Sequence, residues 1–94
     1  MSRRDPTRQL LRALERSAAA SGCATVLSHK ATTPWASATF VGAQYLVAVS
    51  GDALDAWLAA LPEAELPLSG CFVADCTTEP APGGAMLTLL VLEE

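Results

Sequence analysis

Few residues in this chain could do chemistry. Its 94 residues include three cysteines, Cys23, Cys71 and Cys76, and one histidine, His29. A structural zinc site takes four sulfur or nitrogen ligands in a tetrahedron, so all four of these residues would have to converge. The spacing argues against it. Cys71 and Cys76 form a C-x4-C pair, and side chains alternate along a regular strand, so residues five apart point to opposite faces. Neither a metal nor a cofactor is expected. An odd cysteine count does not close a disulfide framework. The three thiols are expected to be unpaired and to pack as small hydrophobes.

His29 is the only side chain whose unperturbed titration falls near neutrality. It sits beside Lys30 and close to Trp35. One reading is a small enzyme in which His29 acts with Asp75 or a cysteine thiol in a pocket near Trp35. No further motif supports it: the chain has no P-loop, no dinucleotide-binding glycine pattern and no G-x-S-x-G turn. Gly83-Gly84 leads into an apolar run suited to a strand, whereas a phosphate loop leads into a helix. His29, Trp35 and Tyr45 are therefore read as candidate ligand-binding residues, the two aromatics because their rings combine apolar area with a polar tip.

The elements that must position these residues follow from periodicity. Asp5-Pro6 has the chemistry of a helix start, and Leu10, Leu11, Leu14 and Ala18 recur on one helical face. Arg8, Arg12 and Arg16 fall on the opposite side, and Gly22 is a natural stop. This gives a helix over Asp5–Ser21. A strand is expected over Cys23–Thr32, a turn at Thr32–Trp35 and a long strand over Ala36–Val49. Gly42 within that strand marks a bulge or a close backbone approach. Asp52 is expected to cap a second helix with Leu54, Trp57, Leu58 and Leu61 on its core face and Pro62 as its stop. Cys71–Thr78 and the apolar run Ala85–Leu92 complete the strands.

The order α-β-β-α-β-β implies an α+β two-layer sandwich, with one four-stranded sheet and two helices on one face. It also reads as one α-β-β unit used twice, residues 1–48 and 49–94 of a single domain spanning 1–94. Ser21-Gly22-Cys23 recurs as Ser69-Gly70-Cys71, an offset of 48.

Composition bounds the function. At 51% hydrophobic and 17% charged, the chain has the material for a packed core. No apolar run reaches the length of a membrane span, and no secretory leader is visible, so a cytoplasmic protein is expected. Residues 1–16 hold five Arg against Asp5 and Glu15, a net +3. The remainder holds Lys30 against eight acids, a net −7. The acidic whole, at −4, argues against nucleic acid as a partner.

Both long strand patterns are apolar on both faces, yet two helices cover one face of a four-stranded sheet. The leading expectation is a non-enzymatic module that binds a small ligand or associates with itself. The expected homodimer forms through a sheet face, with Val41, Tyr45 and Val47 at the interface. A subunit of a larger assembly, bound to another protein through the same face, is the alternative to self-association.

Overall fold

Two helices and one four-stranded antiparallel sheet follow in the order α-β-β-α-β-β in a computed structural model, which describes residues 5–94. The α+β class expected from the sequence is the one found. Arg3 and Arg4, counted in the charge of residues 1–16, lie outside the described residues.

Helix α1 spans Thr7–Ala20. The Asp5 carboxylate accepts from the Thr7 backbone N–H at 3.0 Å and from the Thr7 hydroxyl at 2.7 Å. The Pro6 carbonyl accepts from the Leu10 N–H at 2.8 Å, so Pro6 rather than Asp5 is the cap residue, and the helix starts two residues later than the expected Asp5. At the other end Gly22, with φ 82°, closes it: the Gly22 N–H reaches the Ala19 carbonyl and the Cys23 N–H the Ala18 carbonyl. That is the Schellman pattern, which needs a left-handed residue. Leu10, Leu14 and Ala18 are fully buried, and Arg8, Arg12 and Arg16 are exposed.

Strands β1 (Thr25–Ala36) and β2 (Val41–Gly51) form the first hairpin. Its turn is not at Thr32–Trp35, which belong to β1, but at residues 37–40. There Ser37 closes the loop through backbone and side-chain bonds to Phe40. Pro34 does not break β1 because β1 is an edge strand, and an edge tolerates a residue that donates no ladder bond. Pro80 sits likewise in the other edge strand.

Helix α2 is short, Asp55–Ala60, and runs into a 3₁₀ turn over Leu61–Glu63. Asp52 does not cap it. Ala53 takes φ 58° and turns the chain, so that Leu54 occupies the cap position without a side-chain bond. Leu54, Trp57 and Leu61 are buried, while Leu58 is half-buried at the margin of the core. Trp57 Nε1 donates to Ser17 Oγ at 2.9 Å, which ties α2 to α1. The Ser69 N–H donates to Gln9 Oε1 at 2.8 Å and pins the following loop to the same helix.

Strands β3 (Cys71–Ala81) and β4 (Gly84–Glu93) form the second hairpin. The sheet order is β1-β2-β4-β3. β2 and β3 are both antiparallel to β4 and so run parallel to each other. Tyr45, Val47 and Val49 of β2 and Ala85, Leu87, Leu89 and Val91 of β4 are buried in one cluster with the core residues of both helices. The alternate residues Leu46, Ala48, Met86, Thr88 and Leu90 lie on the opposite face and are only partly buried.

The β2–β4 contact is unusually close at its two ends. A Cβ placed on Gly42 would overlap the Val91 carbonyl oxygen, and one placed on Gly84 would overlap that of Val49. Gly42 thus marks a close backbone approach; the sheet's two bulges lie elsewhere, at Lys30 and Ala74. The two glycines are 42 residues apart, as are Val49 and Val91, whereas the Ser-Gly-Cys tripeptides are 48 apart. Gly42→Ala and Gly84→Ala are each expected to cost ~1–3 kcal/mol or more through forced displacement of the ladder. Gly22→Ala, whose Cβ would meet nothing within 4 Å, should cost only about 1 kcal/mol for its left-handed backbone. Urea titrations of the three variants would check that order.

Candidate ligand cleft and open sheet face

Helix α1 has 14 residues and is ~21 Å long. Strands β1 and β2, with 12 and 11 residues, run to ~37–40 Å. The helices therefore cannot roof the whole sheet. The end nearest the first hairpin is left uncovered, and the start of α1 stands at its edge. There a cleft of about 630 Å³ opens.

Its floor comes from the helix-side face of the sheet: His29, Thr32 and Pro34 of β1, Ala43 and Tyr45 of β2, and Val91 of β4. Asp5, Pro6 and Thr7 wall it from the α1 side, and Ser69, Gly70 and Cys71 from the loop into β3, with Glu93 also lining it. His29 Nε2 and Thr32 Oγ1 are 2.6 Å apart. The His29 and Tyr45 rings lie 5.9 Å apart, tilted by 47°. Hydrogen bonds from Thr7 hold the Asp5 carboxyl below its usual range. Burial pushes the Tyr45 phenol above its ordinary value, and the negative charge of Asp5 adds to this, opposed by a hydrogen bond with Thr7. No Lys or Arg lines the cleft among the described residues.

The candidate residues read from the sequence divide between the two faces. His29 and Tyr45 meet in the cleft. Trp35 pairs with Gly42 across the β1–β2 ladder and belongs to the opposite face. Of the expected interface residues, Val47 is fully buried and Tyr45 is 4% exposed, both on the helix side. Val47 lies beneath the helices and Tyr45 in the floor of the cleft, so neither is on the open side of the sheet. Val41 is 49% exposed at the start of β2. Asp5, Thr7, Thr32 and Glu93 were not picked out as binding residues. Asp5 carried a legible signal, but as a helix cap, and the same position makes it a cleft wall.

The chemistry imagined around His29 and Asp75 does not assemble. They stand on the two edge strands, β1 and β3, ~14 Å apart across the sheet, and Asp75 pairs with Leu90 on the open face. Cys71 and Cys76 do not face opposite ways. The bulge at Ala74 inserts one residue, so both fall on the helix side and both are buried. They oppose Glu93 and Leu89, four residues apart on β4, hence ~13 Å, which is beyond disulfide reach. Cys23, which precedes β1, is at the other end of the sheet from Cys71, not near it. No disulfide joins the three. Among the described residues no three of His, Cys, Asp and Glu converge as metal ligands, and no helix is long and apolar enough to cross a membrane.

Among the described residues the opposite face carries no helix. Its centre is Leu46, Ala48, Met86 and Leu90, and at one end Leu92 is buried although it stands apart from the main core. Phe72 pairs with Leu92, and the Phe72 and Phe40 rings meet edge-on at 5.9 Å.

No family model, no curated protein and no solved structure matches the chain.

Burial, with Asp75 alongside, pushes the Cys76 thiol from 9.0 up to about 11. Below pH 9.0 the thiol is neutral in both folded and unfolded chains and makes no pH-dependent contribution. Between 9.0 and about 11 the unfolded chain ionises while the folded one resists, so stability falls as pH rises. The stability-against-pH slope in that window should be shallower in Cys76→Ala than in the parent chain. Tyr45, also shifted upward, contributes to both and cancels in the difference.

Proposed function

We propose that this chain is a small-molecule binding domain, cytoplasmic in setting, whose cleft takes an organic cation with a compact apolar body. The observation that carries this reading is the lining of the cleft. The Asp5 carboxylate, held below its usual range by hydrogen bonds from Thr7, borders an apolar floor of Pro34, Ala43, Val91 and the Tyr45 ring. A pocket of this size with a few polar groups at its margin is the usual form of a small-ligand site. Negative charge there favours an ammonium and opposes a carboxylate or phosphate. The Tyr45 ring offers a cation–π surface as well. The absence of a disulfide among three cysteines fits a reducing compartment.

Benzylammonium, benzyl alcohol and benzoate are matched probes for this reading. Titrated against the ¹⁵N-labelled chain, benzylammonium should shift the amide signals of His29, Tyr45 and Ser69 and bind more tightly than the other two. Asp5→Asn should weaken it about fivefold, the ~1 kcal/mol of a partly exposed ion pair. Equal binding of all three probes, or shifts confined to other surfaces, would remove the reading.

A further inference from the structure

We propose that two copies of the chain pack through the open sheet face, about a two-fold axis that runs parallel to the strands between β2 and β4. This inference is independent of the cleft, which lies on the other side of the sheet. Four strands ~4.8 Å apart and ~10 residues long at ~3.4 Å each give a face of roughly 650 Å² per protomer. Two such faces reach ~1,300 Å², inside the range of specific interfaces.

The side chains favour a second copy, and one axis for it. An axis along the strands keeps the height of every residue and exchanges β2 with β4. Each residue of β2 then lies over the copy of its own cross-strand neighbour. Three of the four open-face pairs are unequal in size: Gly42 opposes Leu92, Ala48 opposes Met86, and Leu46 opposes Thr88; the fourth, Gln44 with Leu90, is matched in size. In the first two pairs β4 carries the bulk, and in the third β2 does. A large side chain of one protomer therefore meets a small one of the other at these three heights, and Gln44 meets Leu90 at the fourth. An axis across the strands would instead set β4 on β4 and β2 on β2, large against large and gap against gap.

The edges select the same axis. It places β1 of one copy over β3 of the other. Lys30 lies between His29, level with Thr78, and Ala31, level with Thr77, as read through Val47–Leu87 and Leu46–Thr88. On the partner's β3 that height is flanked by Asp75 and Glu79, both exposed and both paired with open-face residues, Leu90 and Met86. Stacked sheets cross at about 30°, which slides the edges by a few Å. A slide in either direction brings Lys30 towards one of the two carboxylates. The same height rule sets Trp35, through Gly42 and Leu92, over Phe72 of the partner protomer. The crosswise axis would stack β3 on its own copy, which carries the same two carboxylates, Asp75 and Glu79, and no cation.

Sedimentation equilibrium at micromolar concentration should give twice the 9.8 kDa chain mass, and Leu90→Glu should give the single mass while its circular dichroism stays that of the parent. Lys30→Glu should weaken the dimer about tenfold, and Asp75→Lys with Glu79→Lys in the same chain should restore it by reversing the charges. A soluble parent monomer, or a dimer that Leu90→Glu leaves intact, overturns the proposal. A dimer that Leu90→Glu breaks but that is indifferent to Lys30→Glu overturns the axis.

Discussion

The β2–β4 ladder is the interaction on which the rest depends. Each hairpin is local, but β2 and β4 lie some forty residues apart in the chain, so their pairing closes a long loop and carries its entropic cost. What offsets that cost is concentrated in the same strands. Val47, Leu87 and Leu89 are fully buried beneath the helices and remove apolar area from water at ~25 cal/mol per Å². The ladder ends where two glycines let the backbones approach, at Gly42 and Gly84. Once its register is set, every residue has a height and a face. The cleft and the open surface are consequences of that assignment.

Much of this was legible in the sequence. The alternation of Ala85–Leu92, and of Val41 to Val49 in β2, sorted residues onto faces that match the observed burial. Leu10, Leu14 and Ala18 announced the buried side of α1, and Trp57 that of α2. The first turn was misplaced because Pro34 signals a break unless the strand is known to be an edge, and strand order is not written in local composition. Leu58 was overvalued because α2 is short and its phase is set by Trp57 reaching Ser17. The cleft was only half legible. His29 and Tyr45 are distinctive residue types, but Thr32, Asp5 and Glu93 are ordinary ones, made relevant by where α1 stops short of the hairpin.

The two faces of the sheet differ in what limits them. On the helix side the limit is length: a helix rises 1.5 Å per residue and a strand more than twice that, so 14 residues of helix leave part of a 12-residue strand bare. The bare part holds polar groups already committed to partners, as His29 is to Thr32 and Asp5 to Thr7. On the other side the limit is the number of layers. Two helices join into one core with β2 and β4, and among the described residues neither packs over Leu46, Met86 and Leu90. That face sets Leu46, Ala48, Met86 and Leu90 beside Gln44 and Thr88.

Both features turn on a single inserted residue in each edge strand. Without the bulge at Lys30, alternation would carry His29 and Thr32 to opposite faces, three residues apart. With it, His29 faces with Val47 and Thr32 with Tyr45, so the 2.6 Å contact between them can form inside the cleft. Without the bulge at Ala74, Cys76 would leave the core and the acidic residues of β3 would turn to the helix side. With it, Cys76 is buried and Asp75 and Glu79 face outward beside Leu90 and Met86. A bulge belongs at an edge, where one strand can bend without a second neighbour to follow it. Lys30 and Ala74 carry no compositional mark of this. The central strands set the register, and the edge strands, free on one side, adjust which chemistry each face receives.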